Sequence, residues 1–321
     1  MIVTLTANPS VDRTVTLAGP LQRGAVQRLT SVTSQAGGKG VNISRAAVAA
    51  EVTTLAILPA APADPFVVSL GEDSIPCLPV GPAGPVRTNL TVTEPDGTTT
   101  KLNSPGAEAT PALLDALAEA VLAQATEAAW VVVAGSIPPG VTAGWYAELM
   151  AAVRHTPARI AVDTSEAPLV ALVDGLPGSA PDLMKPNGDE LASFTGADAA
   201  TLESDPQAAA RAAATLVDRG VGAVLATLGA HGAVLVTAEG AWHATPPPTT
   251  VVSTVGAGDS SLFGYLLGDV RGDAEPDRLA LGVAYGSAAA GLPGTTIPHP
   301  SQTRPDLVEV RPLELPSGAP T

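Results

Sequence analysis

Three short apolar runs constrain the fold of this 321-residue chain more than any other feature: Trp130-Val131-Val132-Val133, Arg159-Ile160-Ala161-Val162 and Ala223-Val224-Leu225-Ala226. None shows the apolar-polar alternation of a strand with one wet face, so each reads as a strand buried on both faces. Helical patterns lie between them. Leu113, Leu114, Leu117, Val121 and Leu122 trace one face of a helix beginning near Pro111, and residues 208–217 read as an Ala-rich helix. Strands alternating with helices predict an α/β fold, a doubly wound and mostly parallel sheet flanked by helices, with ligands at the carboxyl ends of the strands. Gly135-Ser136, Asp163 and Lys185-Pro186-Asn187 all follow such runs.

Two stretches, about 11–33 and 86–102, break this alternation. They are rich in Thr and Val, and Glu94-Pro95-Asp96-Gly97 supplies turn chemistry between two extended segments. They read as a small antiparallel sheet, either a lid that closes over a ligand or an inert surface hairpin. A chain with 45% hydrophobic residues can bury one large core. Residues 1–313 are therefore expected to form a single domain, with an edge strand within 306–313 and a loose tail over 314–321.

The formal net charge of −15 argues against a surface that tracks nucleic-acid phosphates or binds an anionic membrane. Any phosphate ligand must be held locally, and Lys39, Arg87 and Lys185 stand out because they lie in Gly-, Pro- or Asn-marked segments. Cys77 is the only cysteine, which rules out an intrachain disulfide and suits a small buried hydrophobe. The four histidines show no ligand spacing. The first residues lack a signal-peptide pattern and no run approaches a membrane span, so a cytoplasmic protein is expected.

Thr254-Val255-Gly256-Ala257-Gly258-Asp259-Ser260-Ser261 runs straight into an apolar helical stretch. Free N–H groups at a helix start attract anions, and Gly256 and Gly258 let backbone approach a phosphate. Asp259 is either an ordinary first-turn acid or a base that takes a proton from an incoming hydroxyl. Gly37-Gly38-Lys39-Gly40-Val41-Asn42 opens a second helix in a similar way. It is not a Walker A loop, because Gly40 follows the lysine. Asn187 and Glu190, three residues apart at a helix start, read either as a capping box or as partners of a water-held Mg²⁺ near a nucleotide phosphate. Thr227-Leu228-Gly229-Ala230-His231-Gly232 reads as a nucleotide-facing loop or a tight turn.

Taken in order, these segments resemble the PfkB, or ribokinase-like, family of carbohydrate kinases. The two glycine-bearing helix starts match its signature regions, with Lys185-Pro186-Asn187 and Glu190 between them. The stretches Thr6 to Thr14, Val86 to Asn89, Leu102 to Gly106 and Gly135 to Gly140 are similar to the family's phosphosugar branch. The resemblance runs from Met1 to about Val310. It implies a ribokinase-like fold with a small β lid, ATP as phosphoryl donor and Mg²⁺ as cofactor. The implied acceptor is the 6-hydroxyl of D-fructose 1-phosphate; tagatose 6-phosphate and fructose 6-phosphate are the alternatives, and a catalytically silent sugar-phosphate sensor is the non-enzyme alternative.

The resemblance also implies roles. Asp259 would be the general base, and the Gly256, Ala257 and Gly258 amides would stabilise the moving phosphoryl group. Asp12, Gly38, Lys39, Asn42 and Asn103 would hold sugar hydroxyls, with Arg87, and Lys39 as a second candidate, meeting the phosphate already on the sugar. Lys185, Asn187, Thr227, Gly229 and Gly232 would meet the nucleotide, and Asn187 and Glu190 would organise Mg²⁺ through water. Relatives pair through their lid sheets, so the resemblance allows a homodimer. The chain departs from the family where Ala60-Ala61-Pro62-Ala63-Asp64-Pro65 replaces a Gly-Gly-Asp-Gly-like turn, and the segment up to Cys77 reads as poorly helical. Ser104 stands where an acidic residue often follows the Asn.

Overall fold

The computed structural model describes residues 1–81 and 83–315. Its main sheet has ten strands: β1 (Ile2–Leu5), β4 (Thr54–Pro59), β5 (Cys77–Val80), β8 (Trp130–Ala134), β9 (Arg159–Asp163), β10 (Leu183–Met184), β11 (Ala223–Thr227), β12 (Ala233–Thr237), β13 (Gly240–Thr245) and β14 (Glu309–Leu313). A smaller sheet contains β2 (Ser10–Leu17), β3 (Leu29–Gly37), β6 (Arg87–Thr93) and β7 (Thr99–Leu102). The helices are α1 (Lys39–Ala49), α2 (Pro65–Glu72), α3 (Pro111–Ala125), α4 (Trp145–Val153), α5 (Glu166–Asp174), α6 (Gly188–Thr195), α7 (Ala199–Ser204), α8 (Pro206–Val217), α9 (Ala257–Arg271) and α10 (Glu275–Ala290).

The main sheet runs β14-β13-β12-β11-β10-β9-β8-β1-β4-β5, parallel from β5 through to β11 and antiparallel beyond. From β1 the chain moves outward to β4 and β5, and from β8 it moves the other way. Strand order therefore reverses between β1 and β8, where α/β folds open a crevice at the strand ends. Neighbouring residues in each strand feed opposite cores. Val3, Leu5, Val131, Val133 and Ile160 pack against α3, α4, α5 and α8, whereas Ile2, Trp130, Val132 and Ala161 pack with residues of α1, α9 and α10. This double burial is why the apolar runs lack alternation.

Helices α1 and α9 lie side by side on one face of the sheet, so their N-termini face the same crevice. Helix α9 is also fixed along its length. A Cβ on Gly264 would lie 2.6 Å from the Leu281 carbonyl oxygen, so glycine permits the close packing of α9 on α10. Near its end, Asp269 accepts from Trp130 Nε1 at 2.8 Å and pairs with Arg159 and with Arg278 Nη1 at 2.7 Å.

The small sheet joins two antiparallel pairs, β2–β3 and β6–β7, through a parallel β2–β6 contact. Its strands extend the expected 11–33 and 86–102 stretches only to Ser10 and Gly37. The segment before Cys77, read as poorly helical, forms α2, because Asp64 caps the Phe66 N–H at 2.8 Å and Pro65 occupies the first turn. Cys77 is half-buried on the edge strand β5. The last edge strand is β14, and Gln207 Nε2 donates to the Glu314 carbonyl at 2.6 Å. The rest of the expected tail, 316–321, lies outside the described residues.

Candidate active site

A cleft of about 1330 Å³ opens where the crevice meets the small sheet. It is lined by Asp12, Gly38, Lys39, Asn42, Arg87 and Asn103 on one side. Lys185, Asn187, Glu190, Thr227, Gly229 and Gly232 line the other. Gly256, Ala257, Gly258 and Asp259 also line it, so every residue singled out from the sequence reaches one cavity.

Helices α1 and α9 both start at a glycine with no side-chain cap, Gly38 at φ 113° and Gly256 at φ 80°. Among the described residues no group accepts from the Gly258 or Asp259 N–H. Unpaired donors of this kind are what an anion supplies with acceptors. The Lys185 ammonium lies beside them, 3.3 Å from where a Cβ on Gly258 would stand.

Asp259 is buried, and one of its oxygens, Oδ2, accepts from Asn42 Nδ2 at 2.8 Å. This bond joins the two helix starts. Burial, then the negative charge of Asp163, push the Asp259 pKa above the ordinary carboxylate value, against the opposing pull of Lys39 and Asn42. The Asn42 Oδ1 is buried without a partner.

Asp163, at the end of β9, was not singled out for a role from the sequence, yet it organises the middle of the cleft. Its carboxylate lies 2.6 Å from Lys39 Nζ and 3.2 Å from Lys185 Nζ. Burial works against its ionisation, but Lys185 and Lys39 outweigh burial and hold its pKa below the usual value. The Lys39 ammonium is likewise disfavoured by burial, and Asp163 and Asp259 raise its pKa above the ordinary lysine value.

On the small-sheet side, Asp12 Oδ1 accepts from Ser10 Oγ at 2.7 Å and from Asn89 Nδ2 at 3.3 Å. Burial raises the Asp12 pKa. Arg87 Nη1 donates to the Ser104 carbonyl at 2.8 Å, while Nη2 donates to the Asn8 carbonyl at 3.1 Å and to Ser136 Oγ at 3.3 Å. These acceptors are neutral, so the guanidinium is oriented while its charge stays uncompensated by any ion pair among the described residues. Asn103 lines the cleft just past β7.

On the far side, the capping box is present. Asn187 Oδ1 accepts from the Glu190 N–H at 2.8 Å, and Glu190 Oε2 from the Asn187 N–H at 2.9 Å. Glu190 Oε1 and the Asn187 amide nitrogen stand outside that pairing. Burial, then Asp163, raise the Glu190 pKa. The Thr227 N–H donates to the Pro186 carbonyl at 2.9 Å, which ties the two loops together. Gly232 is both turn and lining: at φ 87°, a Cβ there would collide with the Ala244 carbonyl.

A parallel-sheet crevice with two glycine-led helix starts and a buried aspartate between them is a phosphoryl-transfer architecture. The chain belongs to the pfkB family of carbohydrate kinases, whose model matches residues 5–302. It is 38% identical over 312 residues to a 1-phosphofructokinase of Rhodobacter capsulatus, covering 94% of each chain. It is 37% identical over 300 residues to a 1-phosphofructokinase of Haloferax volcanii, covering 93% of each. Its structure is similar to phosphofructokinase-2 from Escherichia coli in complex with substrates and products, with a TM-score of 0.85 and 30% identity over 94% of this chain and 97% of that one. The chain is therefore a phosphotransferase with a carbohydrate acceptor, and its kinase chemistry uses ATP. Among the described residues no helix is long and apolar enough to cross a membrane.

Proposed function

We propose that this protein transfers the γ-phosphoryl group of ATP to the 6-hydroxyl of D-fructose 1-phosphate, giving fructose 1,6-bisphosphate. The observation that carries the reading is the Asn42–Asp259 bond of 2.8 Å, which sets the base between two glycine-led helix starts. Arg87, with its uncompensated charge, lines the same cleft. The names of the Rhodobacter and Haloferax relatives support fructose 1-phosphate as acceptor.

In this reading the sugar lies between Asp12, Asn42 and Asn103, with the Gly38 backbone beside it and its existing phosphate on Arg87, whose fork matches phosphate geometry. Asp259 accepts the proton of the 6-hydroxyl as that oxygen attacks the γ-phosphorus; the bond to the β-bridging oxygen breaks, and ADP leaves. The Gly256, Ala257 and Gly258 amides and Lys185 stabilise charge on the transferred group, preorganised by the rigid anchoring of α9. Asp163 holds Lys39 on the acceptor side and Lys185 on the donor side. Thr227, Gly229 and Gly232 border the nucleotide.

Among the described residues no group of three or more His, Cys, Asp or Glu side chains is arranged to hold a metal directly, whereas Glu190, which lines the cleft, keeps Oε1 outside the capping box. This donor set fits Mg²⁺ held through water, which would supply charge neutralisation to the ATP phosphates.

The small sheet acts as the lid of a single domain comprising residues 1–313. Its face away from the cleft carries the cross-strand pairs Val15–Val32, Leu17–Leu29 and Leu90–Leu102, in which Leu29, Val32 and Leu102 are exposed. An apolar face of this kind fits a second copy of the chain, and light scattering of the wild type against Val32→Glu tests the homodimer. The use of ATP supports a cytoplasmic setting for the reaction.

Coupled ADP release with a panel of fructose 1-phosphate, fructose 6-phosphate and tagatose 6-phosphate tests the acceptor. The highest kcat/KM is expected for fructose 1-phosphate, and a higher value for either other sugar overturns it. The likeness to the Escherichia coli phosphofructokinase-2 structure in complex with fructose-6-phosphate favours a second reading, fructose 6-phosphate. Saturable sugar-phosphate binding without phosphoryl transfer would instead identify a sensor.

A further inference from the structure

The small sheet and the donor wall of the cleft come from opposite ends of the chain, and one hydrogen bond crosses between them. Thr295 Oγ1 donates to Gln35 Oε1 at 2.7 Å, across 260 residues. Among the described residues no other hydrogen bond joins the small sheet to the chain beyond β9. None of the roles proposed for the cleft residues requires it.

Each partner sits beside one of the two subsites. Gln35 is on β3, paired directly opposite Asp12 of β2, and opposite residues of an antiparallel pair share a face. Three residues on, Gly38 opens α1, which begins with Lys39 and carries Asn42 in its first turn. Thr295 lines the cleft, and its Cα and carbonyl oxygen lie 4.0 Å from where a Cβ on Gly256 would stand. The neighbouring Gly294 carbonyl accepts from Ser253 Oγ at 3.0 Å, and the Val252 and Ser253 N–H groups donate to the Ala290 carbonyl at 2.8 and 3.2 Å. The loop that carries Thr295 is thus fastened to the segment that enters α9. Two side-chain hydrogen bonds, Gln35–Thr295 and Ser253–Gly294, therefore hold this loop between the strand that leads into α1 and the turn that presents Gly256 and Gly258.

We infer that Gln35 is a positioning residue that couples the two subsites: through Thr295 it makes binding of the phosphosugar and binding of the nucleotide mutually reinforcing. This rests on the kinase reading above and deepens it. A sugar held by Asp12, Gly38 and Asn42 fixes the junction of β3 with α1, and with it the acceptor of the bond. A phosphate on the Gly256, Ala257 and Gly258 amides fixes the entry to α9, and with it the donor. Whichever ligand binds first orders part of what the second must otherwise order, so each raises the affinity for the other by the same factor.

Calorimetry on the full chain tests this by measuring the Kd of fructose 1-phosphate with and without saturating Mg²⁺ and the β,γ-imido analogue of ATP, which binds without transferring. The ratio of the two constants is the coupling factor. Wild type should show a factor of at least about five. Gln35→Leu and Thr295→Val should each lower it about fivefold, the equilibrium worth of one hydrogen bond, while the affinity for either ligand alone changes far less. Thr295→Ser keeps the hydroxyl and should keep the wild-type factor. The double variant should fall no further than either single one, because both remove the same bond. A wild-type factor of one, or an unchanged factor in Gln35→Leu and Thr295→Val, overturns the inference. So does a loss of affinity for each ligand alone at a constant factor, since a merely structural bond would weaken the sites without linking them. Coupled ADP release by the wild type keeps the two readings apart. Transfer to fructose 1-phosphate with a factor insensitive to these variants defeats the coupling alone; no transfer to any phosphosugar defeats the kinase reading, and the calorimetric factor then still decides whether the two sites are linked through Gln35.

Discussion

Helices α1 and α9 begin at uncapped glycines, whereas α6, on the opposite wall of the same cleft, begins at a side-chain capping box closed by Asn187 and Glu190. All three starts carry the same helix dipole. They differ in whether the first-turn donors are already satisfied. A capping box removes donors from use, whereas at α9 the Gly258 and Asp259 N–H stand without acceptors among the described residues; at α1 the Val41 N–H already donates to Thr6 Oγ1 at 3.1 Å. The two glycine starts differ in turn: α9 carries Asp259 in its first turn, and α1 carries no acid there but opens with Lys39. In the proposed reaction one receives a proton beside an anion and the other holds positive charge beside a neutral hydroxyl.

The largest expected effect separates these two uses. Asp259→Asn should lower kcat by about 10²–10⁴-fold, the range for a lost general base, with nucleotide affinity nearly unchanged in calorimetry. A variant with normal kcat would reduce Asp259 to a first-turn acid. The same change should raise the melting temperature at neutral pH. The folded-state pKa of Asp259 is raised, so its contribution to stability is fully present below the unfolded pKa and is lost as pH rises through the folded value. Asparagine carries no such charge and escapes the loss.

Asp163 sharpens the comparison, because it is a second buried aspartate in the cleft with the opposite shift. Its folded pKa is lowered, so its contribution is present above the unfolded pKa and is lost as pH falls through the folded value. Asp163→Asn should therefore destabilise at neutral pH, by about 3 kcal/mol for a broken buried ion pair, measured by urea unfolding. It should also move the acid limb of kcat/KM to lower pH, since the Asp163 charge raises the Asp259 pKa. An acid limb that stays in place would detach that limb from Asp259.

A smaller effect is expected at the acceptor end. Arg87→Ala should raise KM for the phosphosugar by about tenfold or more, the order expected for a charge-assisted pair, and leave KM for ATP near its original value. Equal rises in both would place Arg87 in the frame of the small sheet instead of in the subsite.

The features written in contiguous residues were readable from the sequence. The apolar runs gave the sheet, and each glycine start lies beside the helix it opens. The Asp163 clamp was not readable, because Lys39 lies 124 residues away and meets it only once β9 is laid beside β8. The small-sheet stretches were found from their turn chemistry, but the parallel β2–β6 pairing, which puts Asp12 opposite Asn89, has no local signal. Helix α2 was missed because it is only 8 residues long and its start depends on one cap, Asp64. The spacing of Asn187 and Glu190 fits both a capping box and a water-held cation; the box is formed, and Glu190 Oε1 stands outside it.

That double fit leads to the smallest expected effect. Asn187→Ala removes the side-chain acceptor at the start of α6, which costs about 1 kcal/mol of stability in the usual range for a lost N-cap. Glu190→Gln keeps a side-chain oxygen able to accept from the Asn187 N–H but removes the carboxylate charge, so its stability should fall less. If α6 serves only as a capped helix, both variants should show an unchanged dependence of rate on Mg²⁺ concentration. If Glu190 also steadies a water-held cation, Glu190→Gln should require more Mg²⁺ for half-maximal rate while unfolding almost as the wild type does. Titrating Mg²⁺ at saturating ATP and sugar, beside a urea unfolding curve for each variant, separates the two uses of the same pair of side chains.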